Sequence, residues 1–256
     1  MLGRRIASAL LTAVGVVLVA AGLEGTGRAG LLADAFAVHG AGGVAEGCVT
    51  ALTAQGPRFG LLRIPGPLFA MQLDAVLAHS RPAAAKVGMV PDARTLAVLW
   101  PVLLRLAIPV VVDPVVRTSR GERLSRLQPR DFLRLAGPQV WLTPNLLELG
   151  WLLGQKKVPR GVDEVTALAL ALLAEGFSAV VVKGGHLEGP PTDVLVSKKH
   201  LVRLVGKRLV RRLDGRGTGC RFSSTLATRL ALGQDGVEAV REAKRAVRRY
   251  LRGQSL

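Results

Sequence analysis

Val14–Gly30 reads VGVVLVAAGLEGTGRAG, and this stretch decides the fold. Val14–Ala21 is mostly β-branched or small, and apolar at every position except one glycine. A strand without polar alternation belongs inside a parallel sheet that helices cover on both faces. The Gly-rich turn from Gly22 to Gly30 then opens a helix. Glycine there lets backbone approach a ligand closely. The turn matches neither G-x-G-x-x-G nor G-x-x-x-x-G-K-[ST], so alone it fits a phosphate loop and an ordinary strand-to-helix turn equally. The same region also has the outline of a targeting segment, with Arg4 and Arg5 before the uncharged run Ile6–Leu23. Cleavage after Ala21 would remove the strand and leave its loop unsupported, so the strand reading is adopted, with residues 1–12 as an N-terminal extension.

Outward from this strand, apolar runs alternate with helical patterns. Further strands are expected at Ala85–Met89, Val110–Val112, Gln139–Leu142, Ala179–Lys183 and Val194–Val196. Helices are expected near Gly30–Ala41, Pro67–Ala78, Ala93–Leu106, Pro129–Ala136, Leu146–Leu153, Val162–Ala174, Cys220–Ala231 and Val237–Leu251. The last places Val237, Val240, Val247, Tyr250 and Leu251 at helical spacing between charges. The pattern predicts an α/β fold: three αβα layers around a mostly parallel, doubly wound sheet. No linker divides the 256 residues, so a single domain over 1–256 is expected.

Composition narrows the function classes. A hydrophobic fraction of 49% excludes disorder. Two cysteines exclude a disulfide scaffold and a multi-cysteine zinc module. The net charge of +17 invites a nucleic-acid partner, but aromatics are only 4%, too few for a base-stacking platform. The bias toward Ala, Leu, Gly, Val and Arg, with little Lys, is one that a GC-rich genome produces. Nucleic acid is therefore not the expected ligand. Past the first strand no stretch approaches a membrane span without a charge or a proline, so no stable membrane insertion is expected and the cytoplasm is the expected compartment.

In a doubly wound sheet, ligands meet the loops that follow the strands. Asp113-Pro114 follows one strand, and Thr143-Pro144-Asn145-Leu146-Leu147-Glu148 follows another. Acids in such loops either hold Mg²⁺, directly or through water, or serve as N-caps or first-turn acids that the helix dipole stabilises. Lys183-Gly184-Gly185-His186 puts a lysine at the end of a buried strand, within reach of a phosphate or a carboxylate. Asp214-Gly215-Arg216-Gly217-Thr218-Gly219-Cys220 is the strongest local signal, because a Gly-rich turn at a helix N-terminus can converge N–H groups on an anion. Cys220 falls in the first helical turn, where the helix dipole favours its thiolate. Cys48 lies in an apolar stretch and reads as core.

These pieces, in this order, resemble the hydroxymethylpyrimidine/phosphomethylpyrimidine kinases of thiamine biosynthesis, within the ribokinase-like superfamily. The family's opening loop, A-G-S-D-P-S-G-G-A-G-I-Q-A-D, aligns without a gap on Ala21–Asp34, AGLEGTGRAGLLAD. Its T-A-L-T-A-Q is Thr50–Gln55, its K-I-G-M is Lys86–Met89 and its D-P-V is Asp113–Val115. Its T-P-N-L-x-E is Thr143–Glu148, its V-K-G-G-H is Val182–His186 and its G-T-G-C is Gly217–Cys220. The resemblance implies a kinase that uses ATP as co-substrate and Mg²⁺ as cofactor. It implies that Gln55 and Gly22 bind the aminopyrimidine, and that Asp113 and Glu148 organise Mg²⁺. Lys183 would contact phosphate, Gly217, Thr218 and Gly219 would form an anion hole, and Cys220 would be the general base. Asp193 matches an acid of the family without an implied role. The family tends to be dimeric, so a homodimer is expected.

The chain departs from the family pattern at Leu23, Glu24 and Arg28 in the opening loop, and at Val44-Ala45. It departs again at Asp214-Gly215-Arg216, where the family has N-T-H. Arg28 is expected to favour an already phosphorylated substrate. The alternatives are a pyridoxal-type kinase and a catalytically weakened homologue that only binds ligand.

Overall fold

The structure is a computed structural model that describes residues 15–208 and 215–253. The expected N-terminal extension and Asp214 lie outside the described residues. The strands are β1 (Val16–Glu24), β2 (Val44–Gln55), β3 (Phe59–Arg63), β4 (Ala84–Val87), β5 (Val110–Val112), β6 (Val140–Leu142), β7 (Ala179–Val182), β8 (Thr192–Ser197) and β9 (Leu201–Val205). The helices are α1 (Gly30–Gly40), α2 (Gly66–His79), α3 (Ala93–Leu106), α4 (Pro129–Leu133), α5 (Leu146–Leu152), α6 (Val162–Ala174), α7 (Thr218–Ala231) and α8 (Gly236–Gly253).

All these strands join one sheet in the order β3-β2-β1-β4-β5-β6-β7-β8-β9. The block from β2 to β7 is parallel. Antiparallel pairs add β3 at one edge and β8-β9 at the other. The chain winds from β1 outward to β2 and β3, then returns to lay β4 against the opposite side of β1. The connections leaving β1 and β4 therefore diverge, and a crevice opens at the carboxyl ends of those strands.

The strand β1 is central because its sequence tolerates no solvent on either face. Leu18 and Ala20 point into one layer with Val87, Val112, Leu142 and Val182, against Phe69 and Leu73 of α2 and Leu99 of α3. Val17, Val19 and Ala21 point the other way, against Val38 of α1, Leu226 of α7 and Val240 of α8. Val17, Leu18 and Val19 are fully buried, and each such side chain contributes roughly 1.5–3 kcal/mol. The three layers are thus α2–α6, the sheet, and α1 with α7 and α8.

Three strands escaped the sequence reading. The strand β2 carries Glu46, Gly47, Ala51 and Ala54 among its apolar residues, and β3 and β9 are exposed edge segments. The strand β1 also runs to Glu24, so Gly22-Leu23-Glu24 belongs to its end rather than to the turn, with a register shift between Ala21 and Leu23. The helix expected at Pro129–Ala136 stops at Leu133, and α7 opens at Thr218 rather than Cys220. Among the described residues, no helix is long and apolar enough to cross a membrane.

Candidate active site

One cleft of about 1620 Å³ runs along the carboxyl ends of the strands, from Gln55 past Gly217 to Leu251. Its floor is the first turn of α7. Gly217 has φ +73°, and a Cβ there would collide with the Arg28 carbonyl oxygen. Only glycine lets the two loops touch in this way. The Arg221 guanidinium holds the contact, donating to the carbonyl oxygens of Arg28 at 3.1 Å and Gly27 at 3.3 Å while stacking 3.7 Å above the Tyr250 ring.

Lys183 and Asp113 face this turn. A Cβ on Gly219 would lie 3.2 Å from Lys183 Nζ and 3.6 Å from Asp113 Oδ2. Lys183 Nζ donates to Asp113 Oδ1 at 2.6 Å and lies 4.0 Å from Glu148 Oε2. Asp113 is buried at the end of β5, and its Oδ2 has no hydrogen-bond partner. Glu148 serves α5 as well. Its Oε2 accepts the Asn145 N–H at 2.8 Å while Asn145 Oδ1 accepts the Glu148 N–H at 2.9 Å. This reciprocal capping box fixes the carboxylate beside Lys183. Burial pushes the Glu148 carboxyl up to about 7, although Lys183 opposes the shift.

Two carboxylates, one with an orphaned buried oxygen, fit a divalent cation that keeps its own waters and shares phosphate oxygens. Among the described residues, no group of three or more His, Cys, Asp or Glu side chains could form a complete protein cage. Carboxylate oxygens suit Mg²⁺ better than a transition metal.

Asp193 braces the loop after Lys183. Its Oδ1 accepts the Gly184 N–H at 2.9 Å and its Oδ2 accepts from Lys244 Nζ at 2.8 Å. The sequence supplied this acid without a role; the geometry makes it a tether.

Cys220 is partly buried, and the Gly30 N–H points to its sulfur. The expectation of a favoured thiolate is overturned here. Burial, with the charges of Asp34 and Asp113 adding, pushes the thiol up to about 11, while Lys86 opposes them. Desolvation outweighs the helix dipole because the thiol also faces two carboxylates. Lys86 and Asp34 form a buried pair, Nζ to Oδ2 2.7 Å, and Ser224 Oγ donates to the other Asp34 oxygen at 2.8 Å. The sequence reading had placed Lys86 and Asp34 inside motifs without giving either a function.

At the other end of the cleft, Gly22 lies under Met89, whose Cε would fall 2.5 Å from a Cβ at that position. Gln55 ends β2 and meets Arg216. Arg216 Nη2 donates to Gln55 Oε1 at 3.1 Å and lies 3.2 Å from Glu24 Oε1. Two of the noted departures, Glu24 and Arg216, are thus partners. Arg28 is exposed and outside the cleft lining, so the arginine that faces this end is Arg216. The structure brings Gly22, Gln55, Asp113, Glu148, Lys183, Gly217, Thr218, Gly219 and Cys220 to one cleft.

Comparison with known proteins places the chain in a family and a fold. Residues 24–256 match the family model described as phosphomethylpyrimidine kinase. A hydroxymethylpyrimidine/phosphomethylpyrimidine kinase of Rhizobium meliloti is 34% identical over 237 residues, covering 90% of this chain and 87% of that protein. The phosphomethylpyrimidine kinase structure from Clostridium difficile superposes with a TM-score of 0.77 at 27% identity, over 92% of this chain and 98% of that one. A Bacillus subtilis pyridoxal kinase in complex with ADP gives a TM-score of 0.82 at 25% identity, over 91% and 90%. The fold is ribokinase-like, and the chain belongs to the phosphomethylpyrimidine kinases, a family of phosphotransferases.

Proposed function

We propose that the chain transfers the terminal phosphoryl group of ATP to 4-amino-5-hydroxymethyl-2-methylpyrimidine or its monophosphate, in thiamine biosynthesis. The observation that carries this reading is the convergence of Lys183 and Asp113 on the first turn of α7. Phosphoryl transfer needs in-line positioning and charge stabilisation more than covalent help from the protein. The first-turn N–H groups of Gly217 and Gly219 would receive the transferring group, with the positive end of the helix behind them, while the Thr218 N–H donates to the Gly215 carbonyl oxygen at 3.2 Å. Lys183 would bridge that anion and Asp113. Asp113 and Glu148 would hold Mg²⁺, which would supply charge neutralisation on the phosphates. Gln55 and Gly22 would hold the pyrimidine at the far end.

Cys220 is the proposed base for the alcohol. Burial holds its thiol up at about 11, and Lys86 and the Gly30 N–H lower the cost of removing that proton. A phosphate acceptor needs no such base, because a phosphomonoester is already largely dianionic near neutral pH, its second pKa being about 6. Replacement by Ser tests the assignment. Cys220→Ser should lower kcat on the alcohol by roughly 10²–10⁴-fold and act less on the monophosphate. Unchanged turnover on the alcohol would remove Cys220 from the base role.

A pyridoxal-type acceptor is the second reading, favoured by the TM-score of 0.82 to the Bacillus subtilis pyridoxal kinase. The accompanying proposals are a cytoplasmic enzyme and a homodimer, for which size-exclusion chromatography with light scattering is the check.

A further inference from the structure

Arg216 spans the acceptor end of the cleft. Its main chain stands one residue before Gly217, and Tyr250 Oη donates to its carbonyl oxygen at 3.2 Å. Its guanidinium reaches the opposite wall, where Nη1 donates to the Gln55 carbonyl oxygen at 3.3 Å and Nη2 to Gln55 Oε1 at 3.1 Å. Nη2 also lies 3.2 Å from Glu24 Oε1, with the two side chains 13% and 3% exposed. An acceptor placed between Gln55 and the first turn of α7 therefore meets this cation.

The Gln55 amide has a set direction. Its Nε2 donates to Thr53 Oγ1 at 3.1 Å, and Thr53 Oγ1 donates in turn to the Leu23 carbonyl oxygen at 3.3 Å. Oε1 accepts from Arg216 and keeps a second lone pair for another donor. A neutral amino-heterocycle that shares Oε1 leaves the guanidinium on Glu24 and the Gln55 carbonyl oxygen and offers it no charge in return. An acceptor that carries a phosphate gives the guanidinium a two-oxygen partner that suits its planar fork. Glu24 can release it, because Glu24 keeps Thr26: the Thr26 hydroxyl donates to Oε2 at 2.7 Å and the Thr26 N–H to Oε1 at 3.2 Å.

We infer that Arg216 is a specificity-determining residue that selects a phosphomonoester acceptor, one already phosphorylated on its hydroxymethyl group, over the free alcohol. The inference rests on the reading above that Gln55 faces the acceptor. The reaction that supplies this substrate is then a separate phosphorylation of the alcohol, or a synthesis that delivers the phosphomonoester directly.

The test compares kcat/KM with MgATP for hydroxymethylpyrimidine and for its monophosphate, in the unaltered chain, Arg216→Gln and Glu24→Gln. The unaltered chain should prefer the monophosphate. Arg216→Gln should cut that preference by roughly 10- to 100-fold, the worth of a charge-assisted contact. Glu24→Gln, which keeps an acceptor for Thr26 but loosens the arginine, should lower KM for the monophosphate. An equal loss on both acceptors in Arg216→Gln overturns the inference. Calorimetric binding of each acceptor without ATP separates this from the broader reading. If the unaltered chain phosphorylates neither acceptor, the kinase assignment fails, and binding still judges Arg216. Monophosphate binding at least about 10-fold weaker in Arg216→Gln, with alcohol binding less affected, supports it; equal effects, or no binding of either acceptor, overturn it.

Discussion

Lys86 Nζ lies 2.7 Å from Asp34 Oδ2, with neither side chain more than 1% exposed, and the charges of both residues act on Cys220. Asp34 and then Cys220 and Asp113 outweigh the cost of burying the Lys86 ammonium, so it stays protonated well above the usual lysine range. Asp34→Asn strands that cation and should destabilise the protein by about 3–5 kcal/mol, read as a fall in the urea midpoint. The thiol should respond with opposite signs to the two partners. Asp34→Asn removes a charge that raises Cys220, so alkylation by iodoacetamide should set in at lower pH than in the unaltered chain. Lys86→Met should move it higher. Cys48 does not interfere, since burial pushes its thiol to about 12.

Glu148 ties stability and metal use to pH. Its folded pKa of about 7 stands above the ordinary carboxyl value of 4.5, so the folded chain holds a proton that the unfolded chain has lost. The Glu148 contribution to the stability of the metal-free protein should therefore fall as pH rises from about 4.5 to about 7, and level off above that. The Mg²⁺ concentration needed for half-maximal turnover should rise as pH drops below about 7. Glu148→Gln should flatten the Glu148 contribution to both curves. A Mg²⁺ requirement independent of pH from 5.5 to 8 would contradict the carboxylate's role.

Gly217 should accept no side chain. Gly217→Ala must hold alanine at φ +73° and push Arg28 aside. The backbone alone costs about 1–3 kcal/mol. Because the displaced turn is the proposed phosphoryl site, kcat should fall by more than the melting temperature suggests. Gly56→Ala, where a Cβ meets nothing within 4 Å, is the matched control and should alter neither.

Asp193 should act through the loop it holds. Asp193→Ala removes the acceptor of the buried Gly184 N–H and the partner of Lys244. An unsatisfied buried donor costs about 1–3 kcal/mol. Lys183 then loses its fixed position, so KM for ATP should rise while the pH profile of kcat keeps its shape. A changed profile would mean that Asp193 touches the reacting groups.

The parallel centre was legible because its chemistry is one-sided. Runs such as Val110–Val112 and Ala179–Val182 have no polar residue and no place except between two layers. The helices Ala93–Leu106 and Val162–Ala174 fall where their apolar spacing put them. The strand β2 was hidden because its β-propensity is diluted by Ala, Gly and Glu, and it is held by pairing with β1 along its length. In the site, motif order brought Asp113, Glu148, Lys183 and Gly217–Cys220 together. The height of the Cys220 pKa was not legible, since it depends on Asp34, 186 positions away in sequence. Nor was the pairing of Glu24 with Arg216, because two separate departures become partners only once the loops touch.

The most direct measurement is ADP release from MgATP by the purified protein, offered separately hydroxymethylpyrimidine, its monophosphate, pyridoxal and no acceptor. The account predicts turnover on the monophosphate well above that on the alcohol, and background release with pyridoxal or without acceptor. Turnover on pyridoxal alone, or none on any acceptor by folded protein that still binds ATP, would contradict it.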